Sequence, residues 1–303
     1  QTGGSVPTSG QIKFSDFYGT RLQQVVNFYG SGKGGSRLVA KDRYNANSSG
    51  DVNVIGNYRT RPNNSSGTKV HIHVNQQIGS EKTRVEHCAL RTGSWDSSTT
   101  LQVDVGGSGR IGGAGGDGGR GSDSSNGNST SGRGGDGTSG LGVQYNPTTV
   151  NVASGGVITA GFGGGGGGGG AYDTDKEGAR TASGGGGGGG AGIPAGAGGA
   201  AGFNAGVNGQ PGNAGSISEG GTGGEGGNND GEAVAGDGGT GGEASDSADS
   251  GVTGQGGEGS TYSPGPAGSP GAAIRKTQSS FTVNVNIASS GSVNGSQNAT
   301  TVL

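Results

Sequence analysis

The spacing of apolar residues changes twice along the chain. Between residues 20 and 30, Leu22, Val25, Val26 and Tyr29 recur at intervals of three and four, which predicts a short amphipathic helix. Ahead of it the chain is small and polar except for an apolar hook, Ile12, Phe14, Phe17 and Tyr18. Hook and helix bury too little surface to stand alone, so residues 1–45 read as a docking segment that anchors on another protein.

From residue 51 the period becomes two. The runs "DVNVIGNYRTR", "TKVHIHVNQQIG", "RVEHCALRTG" and "LQVDV" alternate apolar with polar and are separated by Asn-Ser-Ser-Gly or Gly-Ser clusters. This predicts four antiparallel strands in a small β domain over residues 46–105. In the second run Val70, Ile72 and Val74 face one way, and His71, His73 and Asn75 face the other. Imidazoles at i and i+2 on a strand could hold a metal, and three copies of a trimer would offer six nitrogens. Without a Cys or acidic partner at a ligand spacing, the reading adopted is two ordinary polar-face histidines, with no metal and no cofactor.

Beyond residue 105 glycine sets the pattern. Of 80 glycines, 65 fall between residues 105 and 272, against 13 before and 2 after. Within that block "GGAGGDGGRG" (residues 112–121) and "GGTGGEGG" (220–227) repeat Gly-Gly-x with period three. Three residues per turn is the period of the polyproline II helix, which makes no internal hydrogen bonds. Gly-Gly-x therefore leaves two bare edges, where neighbouring backbones can approach and bond, and one edge carrying Ala114, Asp117 and Arg120 or Thr222 and Glu225. The all-glycine runs at 163–170 and 184–190 are bare on three edges and should lie mid-bundle. The competing reading is a flexible linker.

Alternating Val-x-Val followed by a small-residue turn and an apolar pair recurs from Leu101, Thr149 and Phe281. The first two copies run into glycine-rich stretches, as if a β-turn feeds each layer, and the third lies in a C-terminal strand segment, residues 273–303. The expected fold class is thus mostly β and irregular: a short N-terminal helix, a small antiparallel β domain, and a polyglycine II helix bundle over residues 106–272.

Composition removes several alternatives. The apolar set is 26% of the chain, with 13 Phe and Tyr, one Trp and no Met, too little to fill the core of a 300-residue enzyme. Eight Pro and no long Gly-X-Y exclude collagen. The net charge of −3, with scattered basic residues, shows no nucleic-acid signature. One cysteine, Cys88, excludes an intrachain disulfide framework. With no methionine in the sequence, an initiator or leader is expected ahead of Gln1.

The segments "GGAGGDGGRG", "GFGGGGGGGGAY", "SGGGGGGGAG" and "GGTGGEGG", separated by short polar stretches, resemble the receptor-binding adhesins at the tips of long tail fibres in T-even-like phages. The opening "SGQIKFSDFYG" is similar to the N-termini of tail structural proteins of tailed phages, cyanophages among them. T-even adhesins carry a different N-terminal domain, so the strands at 51–105 are a departure. The resemblance implies a sandwich of polyglycine II helices whose linking loops contact host outer-membrane protein or polysaccharide, on an extracellular virion fibre. It places binding in the loops at 122–131, 171–183, 201–210, 243–251 and 260–266. Their candidate contact residues are Tyr172, Asp173, Asp175, Lys176, Glu177, Arg180, Phe203 and Tyr262: the aromatics can stack, and the charged groups can bond hydroxyls or charges.

Other motifs fail on spacing. "DTDKEG" sets acids at positions 1, 3 and 5 of a calcium loop, but its twelfth position is Gly184. "GSGKGGS" lacks the Ser or Thr after Lys33 that a phosphate loop needs. The expected function is a non-enzymatic fibre protein that docks on other tail proteins through Ile12, Phe14, Phe17 and Tyr18, as a monomer or a homotrimer. The rivals are a non-receptor decoration protein of the tail, neck or head, and a secreted glycine-rich matrix or ice-binding protein.

Overall fold

A computed structural model describes residues 25–30, 69–82, 84–93, 95, 100–123, 131–175, 178–203, 206–246, 255–256 and 260–302. Among them there are strands and irregular segments and no helix. After β1 (Val25–Gly30), the chain makes four turns of a three-sided solenoid. The first is β2 (Lys69–Val74), β3 (Gln77–Gly79) and β4 (Cys88–Arg91). The second is β5 (Thr100–Val105), β6 (Arg110–Gly112) and β7 (Ser139–Val143). β8 (Thr148–Val152) and β9 (Val157–Thr159) open the third, which closes much later with β16 (Ile274–Lys276). The last holds β17 (Val283–Ile287), β18 (Ser292–Asn294) and β19 (Ala299–Thr300). Each turn adds one strand to each of three sheets, ordered β1-β2-β5-β8-β17, β3-β6-β9-β18 and β4-β7-β16-β19.

Register stacks like on like. Ile72, Val103, Val150 and Val285 form one inward column, and Ile78, Ile111, Ile158 and Val293 another. Leu90, Leu141 and Ile274 supply the third side. All but Val285 and Val293 in these columns are fully buried, and those two pack partly buried against the rest in the terminal turn. Each buried Ile, Leu or Val contributes about 1.5–3 kcal/mol. Trp95 closes a corner, its Nε1–H donating to the Thr92 carbonyl at 3.0 Å.

Two expectations are corrected. The strands of the β domain pair in parallel, not antiparallel: β1 with β2, β2 with β5, β5 with β8. Alternation reports only that one face is buried. Parallel sheets are usually covered on both faces and so do not alternate, but a solenoid leaves its outer face wet and alternates as an antiparallel sheet would. The predicted helix is likewise a strand from Val25 to Gly30, with Val26, Phe28 and Gly30 in register with Val70, Ile72 and Val74. The free edge of β2 offers a complete ladder of backbone partners, which outweighs the weak tendency of so short a segment to be helical. The run at 51–61 and Leu22 lie outside the described residues.

Glycine-rich chain enters at one corner of the solenoid, between β6 and β7 and between β9 and β16. There it runs back and forth in segments joined by backbone hydrogen bonds at every third residue. Gly116, Gly119 and Ser122 donate to Phe162, Gly165 and Gly168; Gly161, Gly164 and Gly167 donate to Thr138, Gly135 and Gly132. Every N–H from residue 183 to 193 is used: in rotation the donors reach segments 113–122, 207–216 and 236–242. The same stretch accepts from segments 162–168, 196–202 and 221–227. Approach is so close that a Cβ on Gly186 or Gly187 would lie 2.1 Å from a backbone oxygen of a neighbouring segment.

At the rim, aspartates satisfy N–H groups that would otherwise point outward. Asp117 Oδ1 accepts from Ala197 at 2.7 Å, Asp136 Oδ1 from Ser269 at 2.7 Å, and Asp237 Oδ1 from Gly226 at 2.8 Å. Burial raises the Asp117 pKa, but the Lys82 ammonium at 2.6 Å and the Ala197 N–H outweigh it and leave the carboxyl below its ordinary range. Arg133 and Asp136, three residues apart, share one edge and pair at 2.6 Å.

Candidate functional site

At the end of the glycine block away from the solenoid, its connections come together. β10 (Ala171–Asp175) and β11 (Gly178–Ala182) form an antiparallel hairpin, and β15 (Ser260–Thr261) pairs with the free edge of β10. Beside it, β12 (Asn228–Asn229) and β13 (Ala233–Val234) form a second hairpin, joined by β14 (Gln255–Gly256). Ala171, Ala182, Ala233 and Ala235 pack beneath the two hairpins, small enough to let both backbones sit on the glycine segments. The stretch after residue 203 is tied to the first hairpin by Gly206 N–H to Thr181 Oγ1 at 2.7 Å.

The second hairpin was not anticipated, though its turn is legible. Asn229-Asp230-Gly231-Glu232 places Asp230 at φ 55° and Gly231 at φ 79°, and the Glu232 N–H closes on Asn229 O at 3.2 Å. Asp-Gly with both central residues at positive φ is the type I′ signal of a hairpin.

Of the residues singled out from the sequence, Arg180 links the hairpins, with Nη1 2.7 Å from Glu232 Oε2 and 3.7 Å from Asp230 Oδ2. Tyr172 is half-buried on β10. Asp173, next along the strand, points inward: it is 3% exposed, and its Oδ1 has no hydrogen-bond partner. Phe203 is 52% exposed, with the Arg120 guanidinium carbon 4.5 Å from its ring centroid. Asp123 completes that group by accepting the Phe203 N–H at 2.8 Å and pairing with Arg120. Burial raises the Asp123 carboxyl, but Arg120 and the Phe203 N–H hold it below its ordinary value. Arg120 and Asp123 are three apart, and their shared edge follows from the glycine period. Tyr262 is half-buried and donates its N–H to Gly170 O at 3.1 Å.

Residues 243–246 sit at the opposite end, where Glu243 Oε2 accepts the Gly220 N–H at 3.3 Å and lines a depression with Phe162 and Pro270. His71 and His73 lie on the outer face of the solenoid. Lys176, Glu177, the side chain of Asp175, and the docking residues Ile12, Phe14, Phe17 and Tyr18 lie outside what is described.

The chain is thus a parallel solenoid that carries a glycine-rich block with its described connections gathered at the free end. The family model for phage tail fibre adhesin Gp38 matches residues 27–298, and the chain belongs to that family. It is a virion protein of the tail fibre, extracellular, that takes part in host recognition and binds other tail proteins. No curated protein and no solved structure matches it.

Proposed function

We propose that this adhesin recognises its host through the connections gathered at the free end of the glycine block, without catalysis. The glycine segments act as polyglycine II helices: the three-residue repeat of inter-segment bonds and the absence of room for a Cβ support that packing. Their work is to hold loops rigidly, so that little ordering entropy is lost on contact. The observation that carries the reading is Phe203, exposed at this end with Arg120 across its ring and Asp123 beside it. An aromatic face backed by a charged pair suits stacking on a sugar or an apolar rim of a membrane protein. Tyr172 and Arg180 on the first hairpin extend the surface, and Lys176 and Glu177 are further candidate contacts. Ile12, Phe14, Phe17 and Tyr18 anchor the chain to its fibre partners.

The test is adsorption by virions that carry the altered adhesin, with its incorporation checked by immunoblot. Replacing residues 171–183 by a Gly-Ser turn, and separately Phe203→Ala, should each slow adsorption about tenfold or more, the loss typical of an interface hot spot. Purified lipopolysaccharide and vesicles bearing outer-membrane protein, used as competitors, separate the two receptor classes. Full adsorption by both variants with the protein in place refutes the assignment.

A further inference from the structure

The sequence places two histidines on one strand face and no acid near them. The solenoid brings one from the next turn. Asp104, on β5, lies in register with His73, and its Oδ2 is 3.8 Å from His73 Nδ1 and 4.0 Å from His71 Nδ1. The imidazole centroids are 6.0 Å apart, tilted by 47°. One donor atom from each of the three residues lies within 4.8 Å of the others.

The carboxylate is held for this arrangement. Its Oδ1 accepts from Gln102 Nε2 at 2.6 Å and from Asn151 Nδ2 at 2.8 Å, which leaves Oδ2 turned toward both imidazoles. Outer-shell hydrogen bonds of this kind orient a ligating carboxylate and set its basicity. Each of the three side chains is about a quarter exposed, so a cation can enter and outward positions stay open to water.

The rest of the face shows what a purely structural ladder looks like. In the later turns the same register positions hold Thr149 and Asn284, and Asn151 and Asn286, with Asn286 Nδ2 bonded to Asn151 Oδ1 at 2.8 Å. Amide stacks upon amide up to Asp104. There the ladder changes to a carboxylate facing two imidazoles, which is a donor set of two nitrogens and one oxygen.

We propose that His71, His73 and Asp104 bind one divalent first-row transition ion, with Zn2+ the best-matched species. Imidazole and carboxylate suit this class, and three protein ligands with an open position is a recurrent zinc arrangement. Bonds of about 2.0–2.1 Å in a tetrahedral site put donors roughly 3.3 Å apart, so the carboxylate-to-imidazole distances close by about 0.5–0.7 Å and the two imidazole nitrogens by up to about 1.5 Å, through side-chain rotation on an outer face. The ion would clamp β2 to β5 on the first described turns of the solenoid. This assignment does not depend on how the loops bind the host.

The probe is Co2+ titrated into the metal-stripped full chain and followed by its visible d–d absorption, with Zn2+ as competitor. One equivalent is expected to bind per chain and to be displaced by Zn2+. His73→Asn and Asp104→Asn should each weaken binding about 100-fold or more, since even second-shell losses cost about 10–100-fold. Asparagine is what later turns carry at this position, so both variants should keep the fold, which circular dichroism checks. His87→Gln, outside the cluster, should bind as wild type. No saturable Co2+ binding by the folded wild-type chain overturns the proposal, and so does binding undiminished in both His73→Asn and Asp104→Asn.

Discussion

Placing one methyl group in the middle of the glycine block, by Gly187→Ala, gauges how the block is held together. The new Cβ would sit 2.1 Å from the Gly165 oxygen, 2.6 Å from its carbonyl carbon and 2.8 Å from the Gly166 oxygen. Carbon and oxygen tolerate about 3.3 Å, so one backbone must retreat by about 1 Å. No flexible side chain is there to give way. The retreat stretches the bonds from Phe162 to Ala191, Gly165 to Gly188 and Gly168 to Gly185, now 2.8–2.9 Å.

Losing three such bonds at about 0.5–1.5 kcal/mol each, with some donors left buried and bare, costs about 4 kcal/mol. The lower unfolded-state entropy of alanine offsets about 0.4–1 kcal/mol of that. A net loss of about 3 kcal/mol corresponds to a thermal midpoint lower by roughly 6–12 °C. Calorimetry on the purified chain reads it. Glu225→Ala, on an exposed edge of the same block, should stay within about 0.5 kcal/mol of wild type. A Gly187→Ala midpoint indistinguishable from that of Glu225→Ala would refute close backbone packing as the source of order.

Leu141→Ala, in the fully buried third side of the solenoid, should cost about 2–5 kcal/mol in denaturant unfolding, whereas Ile287→Ala, at a site 47% exposed on the last turn, should cost under about 1 kcal/mol. Asp136 gives a pH signature: the hydrogen bond from Arg133 outweighs burial and, with the Ser269 N–H, holds its folded pKa below the unfolded value of about 3.9. The stabilisation is therefore complete above that value and is lost as pH falls through the lowered folded pKa. Asp136→Asn keeps an acceptor for Ser269, so the wild-type advantage in thermal midpoint over this variant should be present at pH 6 and shrink below about pH 4. Arg180→Ala removes the tie between the hairpins, and hydrogen exchange should then speed up at Asn229 and Glu232 while residues 184–190 stay protected.

Much of this architecture is written in spacing. The alternation at 69–79, 100–105 and 283–287 marks strands because a half-buried sheet needs it in whatever direction its neighbours run. For the same reason it could not report direction, which only the register between successive turns decides. The helix pattern at Leu22, Val25, Val26 and Tyr29 misled because Val26 and Phe28 also fit period two, and only the waiting edge of β2 decides between them. Phe203 stands out in the sequence as an aromatic candidate, but Arg120 and Asp123 join it from a segment some eighty residues earlier.

What the sequence determined by itself is what depends on local geometry. Bare edges at every third residue demand close backbone neighbours, and alternating valines demand one dry face. Tertiary structure alone decided which segments become those neighbours. Backbone hydrogen bonds between glycines are chemically identical, so partner choice rests on how the solenoid turns position the entering chain and on rim residues such as Asp117, Asp136 and Asp237. The same winding sets Asp104 against His71 and His73, a contact that depends on the register of two parallel strands and on no feature of either strand alone.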